Sequence, residues 1–185
     1  MGLDNTDVIT GILLESSATF QNTGTGVIDI QNVPEGIQTN SGTSFTNLGS
    51  LSFDNIANRA IEDLGIFSNS GTISGNAPDI VLNSDLGGTL SPGFSPGTIG
   101  FDGSQTFAAG ATLTMDVEGI GSGEADLVTA QGNFDRTNLS LEVTVNYTPT
   151  IGDEIIIISA GSLSGDFTAV SLPPNWVVVD VGADV

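Results

Sequence analysis

The chain has 185 residues, of which 22 are acidic and only two basic, Arg59 and Arg136, with no histidine or cysteine and a formal net charge of −20 at pH 7. That balance excludes nucleic-acid binding, since neutralising phosphates takes clustered Lys and Arg, and it disfavours anionic membrane surfaces. It also removes disulfide frameworks and the nucleophile triads and acid–base sites that need His or Cys.

Hydrophobic residues make up 38% of the chain and charged ones 13%. The acids are scattered singly, so the charge reads as a folded acidic surface rather than disorder. No apolar run reaches the roughly 18 residues of a transmembrane helix, so no membrane insertion by this segment is expected. Met1–Asp7 lacks the basic start and apolar stretch of a signal peptide; for a secreted protein, the targeting segment is expected outside this chain.

Along the chain, one phrase recurs. Phe20-Gln21-Asn22-Thr23-Gly24, Phe45-Thr46-Asn47-Leu48-Gly49 and Phe67-Ser68-Asn69-Ser70-Gly71 share Phe-x-Asn-x-Gly, 25 residues apart (Phe20 to Phe45) and then 22 (Phe45 to Phe67). A period in the twenties marks turns of a stacked coil. Phe points inward onto the Phe below, Asn takes a left-handed corner and bonds to Asn in neighbouring coils, and Gly supplies a second positive-φ position. Short strands follow each copy at Val27–Ile30, Ser50–Phe53 and Thr72–Ser74. Ile80-Val81-Leu82-Asn83 reads as a degenerate fourth copy with Leu82 in the Phe slot. Asn58–Leu64 is the best helix candidate, with Arg59 in reach of Glu62 and Asp63; a polar bulge at a coil corner is the alternative. At roughly 20–25 residues per coil and about 4.8 Å per rung, the chain would make about eight coils, on the order of 40 Å.

Leu90-Ser91-Pro92-Gly93-Phe94-Ser95-Pro96-Gly97-Thr98 reads as consecutive tight turns, because Pro removes a ladder donor. Beyond it the strands lengthen: Ala111–Glu118, Asp126–Ala130, Leu139–Tyr147, Ile155–Ser159 and Trp176–Val181. Ile155–Ile158 does not alternate and should be buried on both faces. Trp176 is expected to cover the end of the coil stack. Two continuous regions result: residues 1–90 with the Phe-x-Asn-x-Gly coils, and residues 91–185 as a C-terminal β-helix and cap region.

The Leu-Ser-Pro-Gly-x-Ser-Pro-Gly-Thr segment, with Gly110-Ala111-Thr112-Leu113, Asp126-Leu127-Val128, Pro149-Thr150-Ile151-Gly152-Asp153 and Gly165-Asp166-Phe167, resembles the C-terminal part of bacterial β-helix surface proteins. Autotransporter passenger-like and filamentous-haemagglutinin-like adhesins are of this kind. Phe94 departs from the family pattern, which commonly has Asn there. The resemblance covers residues 90–170 and implies an all-β, right-handed parallel β-helix (β-solenoid) with a longer-stranded C-terminal cap. It also implies an outer-membrane, cell-surface or extracellular location, and it transfers no catalytic residues.

Two chemistries remain for the acids. Asp116 and Glu118 lie at i and i+2 on one strand face, as a carboxylate pair for glycoside hydrolysis would need; a solvated face opposite Leu113, Met115 and Val117 is the plainer reading. A lyase would want a basic proton acceptor, for which only Arg59 and Arg136 are present. Glu118, Glu124 and Asp126 flank the glycine loop Gly119–Gly123 and could form a weak calcium site, although Asp126 also suits a turn cap. No catalytic, cofactor-binding or metal residues are assigned and no cofactor is expected. The expected role is non-enzymatic: a structural and adhesive module, rigid spacer or terminal cap, with glycans or other cell-surface molecules as partners. A β-helix carbohydrate-active enzyme (hydrolase or lyase) and a self-assembling extracellular filament or matrix subunit with end-to-end self-association are the alternatives.

Overall fold

The structure is a computed structural model that describes residues 10–93 and 96–180. The readings on Met1–Asp7, Phe94-Ser95 and Val181 lie outside the described residues. Among the described residues there is no helix, and 17 strands form. They are β1 (Thr10–Leu14), β2 (Thr19–Asn22), β3 (Val27–Gln31), β4 (Glu35–Thr39), β5 (Ser44–Asn47), β6 (Ser50–Asp54), β7 (Arg59–Asp63), β8 (Ile66–Asn69) and β9 (Thr72–Gly75). They continue as β10 (Ala77–Val81), β11 (Thr89–Pro92), β12 (Thr98–Phe101), β13 (Ala111–Val117), β14 (Leu127–Asp135), β15 (Leu139–Val145), β16 (Ile158–Ser164) and β17 (Ala169–Ser171).

Strands from successive coils pair in parallel. The first sheet runs β1-β4-β7-β10-β12-β14-β16, the second β3-β6-β9-β11-β13-β15-β17, and the third β2-β5-β8. Among the described residues this is a parallel β-helix with seven rungs, against about eight coils expected for the whole chain, spanning about 29 Å at the ordinary strand spacing. The count falls because the later coils are longer than the repeat suggested: Ala111 pairs with Leu139, 28 positions on. The lengthening of strands in the C-terminal part is as expected, with β13 to β16 running seven to nine residues.

Parallel, in-register pairing puts equivalent residues on top of one another. Phe20 pairs with Phe45 and Phe45 with Phe67; the rings stack at 5.1 and 5.4 Å between centroids, within 14° of parallel. The apolar columns from the three faces meet in one core that includes Ile37, Phe45, Leu51, Phe53, Ile61, Ile73, Ile99 and Leu113. Burial of such side chains is the main source of stability here, worth about 1.5–3 kcal/mol for each one fully buried.

The asparagines stack as well. Asn22 Nδ2 donates to Asn47 Oδ1 at 2.8 Å, and Asn47 Nδ2 to Asn69 Oδ1 at 2.7 Å. Asn47 Nδ2 also reaches the carbonyls of Gly49 and Thr72. The ladder asparagines lie in extended backbone within β2, β5 and β8; the left-handed corners belong instead to Asn32 and Asn55 (φ 57° and 50°). Those two form a second short amide column, Asn55 Nδ2 to Asn32 Oδ1 at 2.8 Å.

The repeat glycine acts by size rather than by positive φ. A Cβ on Gly49 would sit 2.2 Å from the Gly26 carbonyl oxygen, and one on Gly71 only 2.0 Å from that of Gly49. The column therefore runs Gly26-Gly49-Gly71, with Gly26, not Gly24, as its first member. Backbone from the neighbouring coil leaves no room for a side chain there.

Several expected elements are corrected. Residues 59–63 form a strand, because Ala60, Ile61 and Asp63 point into the stack on β4. The Phe slot of the fourth coil holds Leu86, which bridges Phe107, while Leu82 lies just past β10. The misreading arose because that coil is short, 17 residues from Thr72 to Thr89. Pro92 ends β11 opposite Gly75 rather than opening a turn. Ile155–Ile157 precede β16, and Ile156 is 65% exposed; no further rung among the described residues covers that side. No strand forms over the described part of Trp176–Val181. Trp176 is half-buried, and the half-buried apolar side chains packed on the core reach only to Phe167.

Replacing Asn47 by Ala strips partners from Asn22 and Asn69 at once. We expect a loss of about 1–3 kcal/mol in urea unfolding, the cost of a buried polar group left unpaired, because Asn69 Oδ1 loses its donor while Asn22 Nδ2 keeps the carbonyls of Gly26 and Ser50. A loss below about 1 kcal/mol would show that the amide ladder contributes little.

Candidate functional site

The carboxylates singled out from sequence lie around the long corner between β13 and β14. Val117 bridges Ala125 in antiparallel fashion, closing the glycine loop. Within it, Glu124 Oε2 accepts the Gly121 N–H at 2.7 Å, and the Glu124 carbonyl accepts the N–H groups of Glu118 and Gly119. Glu118 is exposed beyond the strand end and takes the Asn146 amide at 2.7 Å. Asp116, half-buried on β13, pairs with Thr144 of β15.

Asp126 is different. Its side chain is buried, with Oδ1 accepting the Gly97 N–H at 2.7 Å and Oδ2 the Asp116 N–H at 2.8 Å. One carboxylate thus clamps the corner before β12 to the end of β13. Burial pushes its carboxyl above the ordinary carboxylate value; the two N–H groups pull it down, and the charges of Asp116 and Glu118 push it up again. Glu118, Glu124 and Asp126 are not gathered into a metal site. Among the described residues no group of three or more His, Cys, Asp or Glu is placed to hold an ion.

Both arginines are engaged by carboxylates. Arg59 meets Glu62 at 2.5 Å and Asp102 at 3.6 Å; the expected contact to Asp63 is replaced, because Asp63 turns inward to Thr39 Oγ1 at 2.7 Å. Arg136, nearly buried, grips Asp180 with two nitrogens at 2.5 and 3.0 Å and lies 5.4 Å over the Phe167 ring. Asp180 is held below the ordinary carboxylate value by that hydrogen bond.

One concavity among the described residues was not legible from sequence. It is a groove of about 470 Å³ lined by Asp54, Asn55, Ile56, Asn76, Pro78, Asp79, Thr98, Gly100 and Thr129. Its origin is a change in corner length. The corner after β6 has four residues, Asn55–Asn58, whereas the next, after β9, has only Asn76. The upper corner overhangs the recess left by the lower one. Beside it, β10 carries a bulge between Ala77 and Ile80 that places Asp79 in left-handed backbone (φ 46°). Bulges of this kind re-aim side chains. Asn76 Oδ1 accepts the Thr98 N–H at 2.9 Å. The floor is the outer face of β12 and β14, where Gly100 lies opposite Thr129.

The groove therefore presents two carboxylates, two amides and two hydroxyls beside a small apolar patch of Ile56 and Pro78. That set suits a neutral, hydroxyl-rich ligand: planar acceptors and donors meet hydroxyls, and the apolar patch meets ring carbons.

The raised Asp126 carboxyl sets a sign for pH dependence. Folded Asp126 keeps its proton to higher pH than the unfolded chain does, so its contribution to stability grows as pH falls from neutral into the carboxylate range. Asp135, Asp153 and Asp180 are shifted down; their contributions persist above the ordinary carboxylate value and are lost as pH falls through the lowered ones. Thermal melts should therefore rise from neutral toward mild acid and fall only below about pH 4. Asp126→Asn should flatten the rise and lower stability at neutral pH by about 1–2 kcal/mol through one lost hydrogen bond. A melting temperature that falls steadily from neutral pH, or an unchanged rise in the variant, would contradict this.

No family model, no curated protein and no solved structure matches this chain.

Proposed function

We propose that this chain is a non-enzymatic structural and adhesive module of a secreted or cell-surface bacterial protein, a rigid spacer or cap whose groove meets glycans. The observation that carries the reading is the uninterrupted stack: seven rungs in the first sheet and seven in the second, tied by aromatic and amide columns. Such a quasi-one-dimensional body transmits force along its axis and offers long polar faces.

Three of the motifs behind the resemblance to bacterial β-helix surface proteins support the same reading, because each has a structural task. Asp126 is the clamp between corners. Asp153 closes its turn by accepting from Thr150 N, Thr150 Oγ1 and Tyr147 OH. Phe167 lies under Arg136. A chain whose marked residues build the scaffold fits a load-carrying role better than a catalytic one.

The glycan contact is tested by titrating the protein with a panel of neutral oligosaccharides under amide-resolved NMR. At least one should perturb Asn55, Asn76, Asp79 and Thr98 together. Asp79→Asn, which left-handed backbone tolerates, should weaken that binding about tenfold, the 1.4 kcal/mol expected for a good hydrogen bond lost to a charged group. Perturbations confined elsewhere, no binding across the panel, or released cleavage products would overturn the proposal.

A further inference from the structure

The outward face of the second sheet has a composition of its own. Leu51, Ile73, Leu90, Leu113 and Leu141 point into the core, and the residues alternating with them are almost all hydroxylic. One column runs Ser50-Thr72-Thr89-Thr112-Ser140, each residue paired in register with the next. Two residues along the strands, on the same face, a second column runs Ser52-Ser74-Ser91. Thr114 stands two residues beyond Thr112 on β13. Successive strands β6, β9, β11 and β13 therefore carry Ser-x-Ser, Thr-x-Ser, Thr-x-Ser and Thr-x-Thr.

The array is regular. Register shifts interrupt the first sheet between Ala77 and Ile80 and between Ala130 and Asn133, whereas the pairings that join β6, β9, β11, β13 and β15 carry none. The hydroxyls thus repeat at about 4.8 Å across the strands and about 6.6 Å along them. The margins are tied down: Ser52 Oγ donates to Asp29 Oδ1 at 2.8 Å, Ser140 Oγ meets Thr168 Oγ1 at 3.0 Å, and Thr114 Oγ1 lies 3.5 Å from the Leu90 carbonyl. In the middle, no described residue bonds the hydroxyls of Thr72, Ser74, Thr89 or Thr112. β-Branching restricts the threonine side chains at χ1, so their hydroxyls are oriented before anything binds.

Charge and chemistry narrow the occupant. The chain carries −20, yet no array position is charged; the acids stand at its borders, Asp29 and Glu142 at the ends and Asp54 and Asp116 along one side. A neutral face inside an acidic rim matches a neutral occupant and repels an anionic one. The array holds no large apolar or aromatic anchor of the kind that carries a protein interface. It also lacks the amides and apolar patch that fit the groove to sugars. What it offers is a rigid two-dimensional lattice of groups that each donate and accept.

We propose that the outer face of β6, β9, β11 and β13 binds ice. Each hydroxyl acts as both donor and acceptor, so the columns fix waters at their own spacing. Oxygens in the surface planes of ice repeat in rows of closely similar dimensions. Waters held by the array are therefore already placed to join the crystal, and a pre-ordered face loses little entropy in meeting it. The unbroken register of the second sheet is what makes the match possible over several coils.

The test grows ice slowly from a solution of the fluorescently labelled protein and compares its concentration in ice and in liquid. The intact protein should be enriched in ice over a labelled bystander of similar size and charge, and it should slow crystal coarsening in a recrystallisation assay. Thr89→Tyr, in mid-array and favourable in a strand, should lower the enrichment about tenfold, equivalent to about 1.4 kcal/mol. Thr46→Tyr, on β5 of the third sheet, should leave it unchanged. Thermal melts check that each variant is folded, and Thr112→Lys, one strand on, gives an independent reading where Thr89→Tyr is not. Exclusion of the intact protein from ice, equal enrichment of the folded array variants, or loss of enrichment in Thr46→Tyr would each overturn the proposal. So would retention on insoluble crystalline glycan that the array variants abolish. The oligosaccharide titration is read on Asn55, Asn76, Asp79 and Thr98, none of them in the array, so either proposal can fail alone.

Discussion

The interaction on which the rest depends is parallel, in-register stacking, which sets each side chain about 4.8 Å above its equivalent in the neighbouring coil. The consequence differs by chemistry. Aromatic on aromatic gains face contact, as at Phe20, Phe45 and Phe67. Amide on amide gains a polar hydrogen-bonded chain, as at Asn22, Asn47 and Asn69. Carboxylate on carboxylate would be repelled at that distance. The paired strands avoid it throughout: Asp29 lies on Ser52, Gln31 on Asp54, Glu35 on Arg59, Gln38 on Glu62, Asp116 on Thr144 and Asp135 on Ser164. Some of these neighbours hydrogen-bond to the acid, as Ser52 does to Asp29 at 2.8 Å. The chain carries −20 because its acids are interleaved along the stack with hydroxyls and amides.

Where the strands are constrained, the corners are not. Corner length changes from one residue at Asn76 to four at Asn55–Asn58 and to a long glycine loop between β13 and β14, and local bulges in β10 and β14 accompany the change without breaking either sheet. The third sheet stops when one coil shortens at Thr72–Thr89, yet the first two sheets run on. The distinctive surface of the molecule, the groove and the Asp126 clamp included, is written in these corners. The scaffold tolerates such variation because each rung contacts only its neighbours.

Legibility in the sequence follows the same division. The Phe-x-Asn-x-Gly phrase exposed the stack because identical residues must recur where identical environments recur. It placed Phe45, Phe67, Asn47 and Asn69 correctly. It misplaced the first glycine and the fourth Phe slot, since Gly26 and Leu86 are reached through coils of altered length that no periodicity reveals. Asn58–Leu64 was a helix candidate because Glu62 and Asp63 at i+3 and i+4 from Arg59 suit a helix, and only register with Glu35 and Ile37 decides for a strand over Arg59–Asp63. The groove left no linear trace: Asp54, Asp79 and Thr129 come from three different coils. Asp126 was noticed as an acidic turn residue, but its burial depends on Gly97 and Asp116, which the sequence sets far apart in kind and position.

The most direct test of the stacking account is NMR detection of scalar coupling across the side-chain hydrogen bonds, with Asn selectively labelled. The account predicts couplings from Asn22 Nδ2 to the Asn47 side-chain carbonyl and from Asn47 Nδ2 to that of Asn69, with both amides exchanging slowly. Absence of both couplings together with rapid exchange of the Asn47 amide, buried here among three acceptors, would contradict it.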